Sequence, residues 1–197
     1  MKRGAAIALL HFVMFLALAA GASAQDYPTR PIRILSPYAP AGISDIAARI
    51  VGGKLTEAWG QQVIVENRPG GNGFIAVTDA ARATPDGYTL VMATAGDVTI
   101  NPSLFKNVPY DVDRDLAPVS AVSDAPLVLA ANGATPFKTL ANVIAAAKAQ
   151  PGMLNMGTPG YGSINHLVLE SLSLNTGTKF THVPYKGGAP AVAMTSV

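Results

Sequence analysis

Short β-type runs alternate with segments of helical spacing, and this order restricts the chain to parallel α/β sheets. Residues 32–36 (Ile-Arg-Ile-Leu-Ser) read as a strand. Ile43, Ile46, Ala47, Ile50, Val51, Leu55 and Ala58 then recur at helical spacing, and Gly60 marks the stop. Residues 63–65 are an uninterrupted apolar run, suited to a dry sheet centre. A Pro/Gly loop at 67–73, a helical stretch at 74–83, a Pro85-Asp86-Gly87 turn and a strand at 88–93 follow. Parallel neighbours need such crossovers, so the helices belong on the sheet faces. Residues 101–118 are rich in Pro and Asp and read mostly as loop. A second series then begins. Residues 126–131 are strand-like, and Leu140, Val143, Ile144 and Ala147 share one helix face that Pro151-Gly152 ends. Strand 154–156, helix 163–174, strand 180–183 and the start of another helix complete it. The expected architecture is two α/β lobes joined near residues 118–126.

The N-terminus reads as a secretory signal peptide. Lys2 and Arg3 precede an apolar run over residues 7–20, and Ala22-Ser23-Ala24 is a small-residue cleavage site. The run is short for a membrane span, which needs about 20 apolar residues. Cleavage is expected after Ala24, giving a periplasmic protein. Lys2 and Arg3 are two of 14 basic residues, so the remainder carries 12 basic against 12 acidic groups. Without a cationic field or a Lys/Arg cluster, nucleic-acid binding is disfavoured. The chain has no cysteine, which excludes disulfides, thiolate nucleophiles and Cys-ligated metals.

One pattern occurs twice. Strand 32–36 leads through Pro37-Tyr38-Ala39-Pro40-Ala41-Gly42-Ile43-Ser44-Asp45 into a helix, and strand 154–156 leads through Gly157-Thr158-Pro159-Gly160-Tyr161-Gly162-Ser163 into another. In parallel α/β sheets, ligands bind beyond the carboxyl ends of the strands. Helix N-termini present unpaired N–H groups and a partial positive charge, which suits an anion. Two such termini facing each other would hold a carboxylate between them. The same pattern also fits plain βα turns, with Ser44 or Asp45 and Ser163 as N-caps.

Other motifs fail on context. Gly71-x-Gly73-x-x-Ala76 fits a dinucleotide pattern, but its loop is too long and the first βα unit lacks it. Asp111-x-Asp113-x-Asp115 starts like a calcium loop, yet Leu116 and Val122 stand where Gly and Glu are needed. His166, Glu170 and His182 do not make a zinc signature. An exported α/β hydrolase using Ser163, His166 or His182 is the main alternative, although Gly160-Tyr161-Gly162-Ser163-Ile164 is not the G-x-S-x-G nucleophile elbow. No cofactor, metal or catalytic residue is expected.

Seven segments in order resemble the substrate-binding proteins of tripartite tricarboxylate transporters, the Bug family. They are Tyr27-Pro28-Thr29-Arg30-Pro31-Ile32-Arg33, Tyr38 through Asp45, Val65-Glu66-Asn67-Arg68-Pro69-Gly70, Pro85-Asp86-Gly87-Tyr88-Thr89-Leu90, Pro109-Tyr110-Asp111, Gly160 through Leu167, and His182-Val183-Pro184-Tyr185-Lys186-Gly187. The resemblance implies a type II, Venus-flytrap periplasmic-binding-protein fold, C-terminally truncated here, with lobe 1 at 25–120 and an incomplete lobe 2 at 121–197. It implies a binding protein, not an enzyme, that takes a small carboxylate or amino acid between its lobes. The partners implied are membrane permease subunits or, in some relatives, a sensor kinase. The implied ligand-binding residues are Tyr38, Ala39, Pro40, Ala41, Gly42, Ser44 and Asp45 on the first loop. Thr158, Gly160, Gly162, Ser163 and His166 face them, bordered by Thr94, Gly96, Tyr185, Lys186 and Gly187. Two positions depart from the family's aromatic-Pro-Pro-Gly-Gly loop, where Ala39 and Ala41 replace a Pro and a Gly. A positive φ at position 41 would strain an alanine.

Overall fold

The computed structural model describes residues 26–195; the leader reading and its cleavage site lie outside them. Five strands are present: β1 (Ile32–Ser36), β2 (Val63–Asn67), β3 (Thr89–Val91), β4 (Asn155–Thr158) and β5 (Thr181–Pro184). The helices are α1 (Ile43–Trp59), α2 (Phe74–Ala81), α3 (Asn101–Leu104), α4 (Val112–Asp115), α5 (Leu140–Ala149), α6 (Ile164–Thr176) and α7 (Gly188–Thr195). Strands β2-β1-β3 form one parallel sheet and β4-β5 a second. The α/β reading and the parallel pairing therefore hold.

The helix stops follow local chemistry. Gly60 and Gly177 end α1 and α6 in the left-handed conformation, each returning its N–H to the last turn. Thr139 and Asn142 form a reciprocal capping box at the start of α5.

Three expectations need correction. The dry centre of the first sheet is β1, where Ile32, Ile34 and Leu35 are 0–2% exposed. Residues 63–65 sit on β2, an edge strand with one neighbour, and are only partly covered. Helix α1 packs through Ser44, Asp45, Ala48 and Gly52, leaving Ile43, Ile46 and Ile50 exposed. The cause is close approach: a Cβ on Gly52 would lie 3.1 Å from Val63 Cγ1, so only small residues fit between helix and sheet. Residues 126–131 form no strand, because a strand needs a ladder partner and none of the described residues pairs with them. The 101–118 segment is mostly loop, as expected, but it also holds two one-turn helices: α3, which continues a wide π turn at Gly96–Ile100, and α4, capped by the Asp111 carboxylate.

Candidate functional site

The loop after β1 is braced by side chains beneath it. Ser36 and Ser44 are buried and share a 3.0 Å hydroxyl hydrogen bond. Asp45, also buried, accepts from the Ala41 N–H at 2.9 Å, from Arg49 Nε at 3.1 Å and from Asn67 Nδ2 at 2.9 Å. Burial works against the Asp45 charge, but these donors hold its pKa below the usual carboxylate range. Neither Ser44 nor Asp45 is the N-cap; Gly42 is, and it caps without a side chain. Nor do the two reach a cleft as expected, because the sheet and Asn67 occupy their polar atoms. Ala41 takes φ of 63°, the left-handed value at which an alanine is strained.

Behind this loop lies a buried carboxylate. Asp97 has no exposed surface and accepts from the Thr94 N–H at 2.7 Å, the Thr94 hydroxyl at 2.8 Å and the Tyr38 hydroxyl at 3.0 Å. Burial raises its pKa and the three donors oppose that rise. Burial also pushes the Tyr38 phenol up, so Tyr38 stays a neutral donor. Gly73 (φ 86°) is obligatory beside it: a Cβ there would stand 2.0 Å from Asp97 Oδ1.

The loop after β4 is held differently. The Ser163 hydroxyl donates to the Gly160 carbonyl at 2.8 Å and accepts the His166 N–H at 3.2 Å, which makes Ser163 the N-cap of α6. Its proton is thus directed to a carbonyl rather than to an imidazole. His166 Nδ1 accepts the Gly162 N–H at 3.2 Å, a bond that only the unprotonated nitrogen makes. The His166 ring stacks on His182 at 4.1 Å and 15°, and Tyr161 meets both rings edge-on. His182 Nε2 lies 2.7 Å from the Thr158 hydroxyl. Burial, then the neighbouring His166, lowers the His182 pKa. Among the described residues no cluster of His, Asp and Glu is suited to a metal ion.

The two loops meet. The Ala39 N–H donates to the Lys186 carbonyl at 3.0 Å, and a Cβ on Gly187 would lie 3.2 Å from the Ala39 nitrogen. Gly96 sits between the Tyr38 hydroxyl and the Gly162 carbonyl. Beside these contacts is a cavity of about 240 Å³, lined by Tyr38, Gly70, Gly71, Asn72, Gly73, Pro159, Gly160, Tyr161, Pro184, Tyr185 and Lys186. Lys186 supplies the one charged side chain among these lining residues. Of the expected residues, Tyr38, Gly160, Tyr185 and Lys186 line the cavity. Ala39 and Gly187 touch each other, Gly96, Gly162 and His166 are not among its lining residues, and the hydroxyls of Thr94, Thr158 and Ser163 are engaged by Asp97, by Gly160 and His182, and by Gly160 respectively. Pro40, Ala41 and Gly42 are not among its lining residues. Sequence reasoning missed Asn72 and Tyr161. Asn72 follows β2 in the same sheet and lies between two glycines, the composition of a left-handed turn; setting aside the dinucleotide motif also set aside this loop.

Several of the backbone donors expected to clamp an anion are already committed. The N–H groups of Ala41, Gly160 and Gly162 go to Asp45, Thr158 and His166, and those of Gly42 and Ser163 go to carbonyls.

Two parallel α/β units whose strand-end loops meet around a small cavity define a periplasmic-binding-protein fold. Comparison with known proteins bears this out. An R. palustris protein with adipate is 33% identical, with a TM-score of 0.84 over 86% of this chain and 57% of that one. MatC from Rhodopseudomonas palustris, with bound malate, is 29% identical, with a TM-score of 0.76 over 86% of this chain and 57% of that one. Protein BugT of Bordetella pertussis is 39% identical over 182 residues, 92% of this chain and 56% of the relative. The tripartite tricarboxylate transporter family receptor model matches residues 47–196. The chain belongs to that receptor family and has Bug-type relatives. It spans about half the length of the curated relatives it matches.

Proposed function

We propose that this chain carries the solute-binding cleft of a periplasmic receptor and captures a small carboxylate or amino acid there, without catalysis. The observation that carries the reading is the cavity at the strand ends of β1, β2, β4 and β5, whose lining includes Gly70, Gly71, Gly73 and Gly160 and a single cationic residue, Lys186. Glycine backbone admits a ligand closely, and a cation favours an anion. Relatives solved with adipate and with malate support the same ligand class. The binding set we assign is Tyr38, Ala39, Gly160, Tyr185, Lys186 and Gly187, with the Ser163 and His166 caps holding Gly160 and Gly162 in place. Residues 25–120 form the first lobe and 121–197 belong to the second. The permease subunits of a tripartite tricarboxylate-type transporter are the receiving partner. Export follows cleavage after Ala24, so the periplasmic N-terminus is Gln25; sequencing that end tests it, and a product retaining Lys2 contradicts it.

Calorimetry with malate and adipate tests the cleft. Binding is expected, and Gly160→Val is expected to abolish it by filling the space beside Asn72 Oδ1, 3.0 Å from the added Cβ. A folded Gly160→Val protein that binds as tightly as the parent would place the ligand elsewhere.

A further inference from the structure

The loop after β2 holds a buried acceptor beside the cavity, and hydrogen bonds fix its direction. Asn72 occupies the left-handed region at φ 56° between Gly71 and Gly73. Its Nδ2 donates to Asn101 Oδ1 at 2.6 Å, and Asn101 Nδ2 donates back to the Asn72 carbonyl at 3.0 Å. Amide orientation is settled by what the partners are able to do. A carbonyl only accepts, so Asn101 must aim its NH2 at the Asn72 carbonyl and its Oδ1 at the Asn72 side chain. Asn72 must then present its NH2 to Asn101, which turns its Oδ1 the other way. Tyr110 locks the arrangement: its hydroxyl donates to the Asp97 carbonyl at 2.5 Å and so receives Asn101 Nδ2 as an acceptor at 3.4 Å. Asn101 has no exposed surface, so the network has little freedom to turn.

Asn72 Oδ1 consequently faces the loop after β4, close enough that a Cβ on Gly160 would lie 3.0 Å from it. It is buried and accepts no hydrogen bond from any described residue. Asn72 and Lys186 both line the cavity. An ionised carboxylate carries acceptors only, so it suits Lys186 and is repelled by Asn72 Oδ1. A ligand that places a hydroxyl or ammonium donor near its carboxylate satisfies both.

We propose that Asn72 is a specificity-determining residue that selects carboxylates bearing a hydrogen-bond donor, such as 2-hydroxy or 2-amino acids, over unsubstituted ones. The inference rests on the carboxylate-binding reading of the cleft. A buried acceptor left unpaired weakens binding of the ligand that ignores it, here by roughly tenfold.

Calorimetry on the chain should compare malate with succinate, which differ by one hydroxyl, for the parent and for Asn72→Gly. Glycine keeps the left-handed backbone while removing the amide. The parent is expected to bind malate about tenfold more tightly than succinate. In the variant, malate is expected to weaken toward succinate while succinate holds, with a melting curve verifying that the variant is folded. Equal binding of the two acids by the parent overturns the role of Asn72, and this comparison stands even where the variant does not fold. A variant that keeps the full preference for malate also overturns it. If the folded parent binds neither acid nor adipate, the carboxylate reading itself fails, which is a distinct result.

Discussion

Strand β1 lies between two partners and buries Ile32, Ile34 and Leu35 to 0–2% exposure, whereas neither β4 nor β5 has a fully buried apolar side chain. The loops these sheets carry differ in the same sense. The loop after β1 is tied down by Ser44, Asp45, Asn67 and the buried Asp97, side chains rooted in α1, in β2 and in the π turn that follows β3. The loop after β4 is tied by its own backbone, by Ser163 and by two imidazoles. One wall of the cleft is therefore a fixed platform. The other is softer and answers to protonation.

The largest test of that contrast sets two left-handed glycines against each other. Gly73→Ala combines backbone strain of about 1–2 kcal/mol with displacement of a buried, fully bonded carboxylate worth about 1–3 kcal/mol. A methyl group on Gly177, at φ 63°, would meet nothing within 4 Å, so Gly177→Ala should cost only the strain, about 1 kcal/mol. Thermal or denaturant unfolding measures both, and equal losses would mean the Asp97 site is no more rigid than a helix end.

Apolar truncation comes next. Ile34→Ala removes a side chain 2% exposed at the sheet centre and should cost about 3 kcal/mol. Val183→Ala in half-covered β5 should cost about 1 kcal/mol. Matching losses in urea unfolding would erase the distinction between the two sheets.

Much of the fold was legible before the structure, but unevenly. The βα alternation, the extent of α1 and the Gly60 stop follow from spacing and turn chemistry, which are local. Which face of α1 is buried is not local. Gly52 and Ala48 lie against the sheet because the helix approaches it closely, while Ile43, Ile46 and Ile50 supply the apolar periodicity and stay exposed. The edge position of β2 depends on strand order, which short apolar runs do not encode. In the site, Gly160 was reachable from the loop pattern, and Tyr185 and Lys186 from the family resemblance. The stacking of His166 on His182 was not, since the rings come from a helix and a strand that only packing unites. Asn72 escaped notice because its role depends on Asn101, 29 residues away.

The imidazole pair gives a pH prediction for the softer wall. The His182 pKa lies below its ordinary value of 6.5, chiefly through burial and then through His166, while Glu170 pulls the other way. Tyr161 and Thr158 face the same ring. A lowered native value means that the unfolded chain takes up the proton first. This contribution to stability is therefore complete above about pH 6.5 and declines as pH falls toward the lower native value. Melting temperatures taken from pH 7.5 down to 5.5 should fall, and His182→Gln should flatten that fall. A His182→Gln protein with the parent's pH profile would move the titration to another group.

The smallest expected effect tests whether the fixed platform carries avoidable strain. Ala41 is exposed and held at φ 63°, where its Cβ crowds the following carbonyl at a cost of about 1–2 kcal/mol. Its N–H still donates to Asp45, a bond that glycine keeps. Ala41→Gly relieves the strain but frees the unfolded chain, which offsets about 0.4–1 kcal/mol. The net expectation is a gain of roughly 0.5–1 kcal/mol, read as a higher denaturant midpoint at unchanged slope. Asn72 shares the left-handed backbone, yet its amide bonds to Asn101, so Asn72→Gly should lower stability instead. Opposite signs at the two positions would establish that Ala41 is strained without compensation. A loss of stability in Ala41→Gly would show that the loop does not hold Ala41 at this φ in solution, and that the platform relaxes despite the side chains that brace it from beneath.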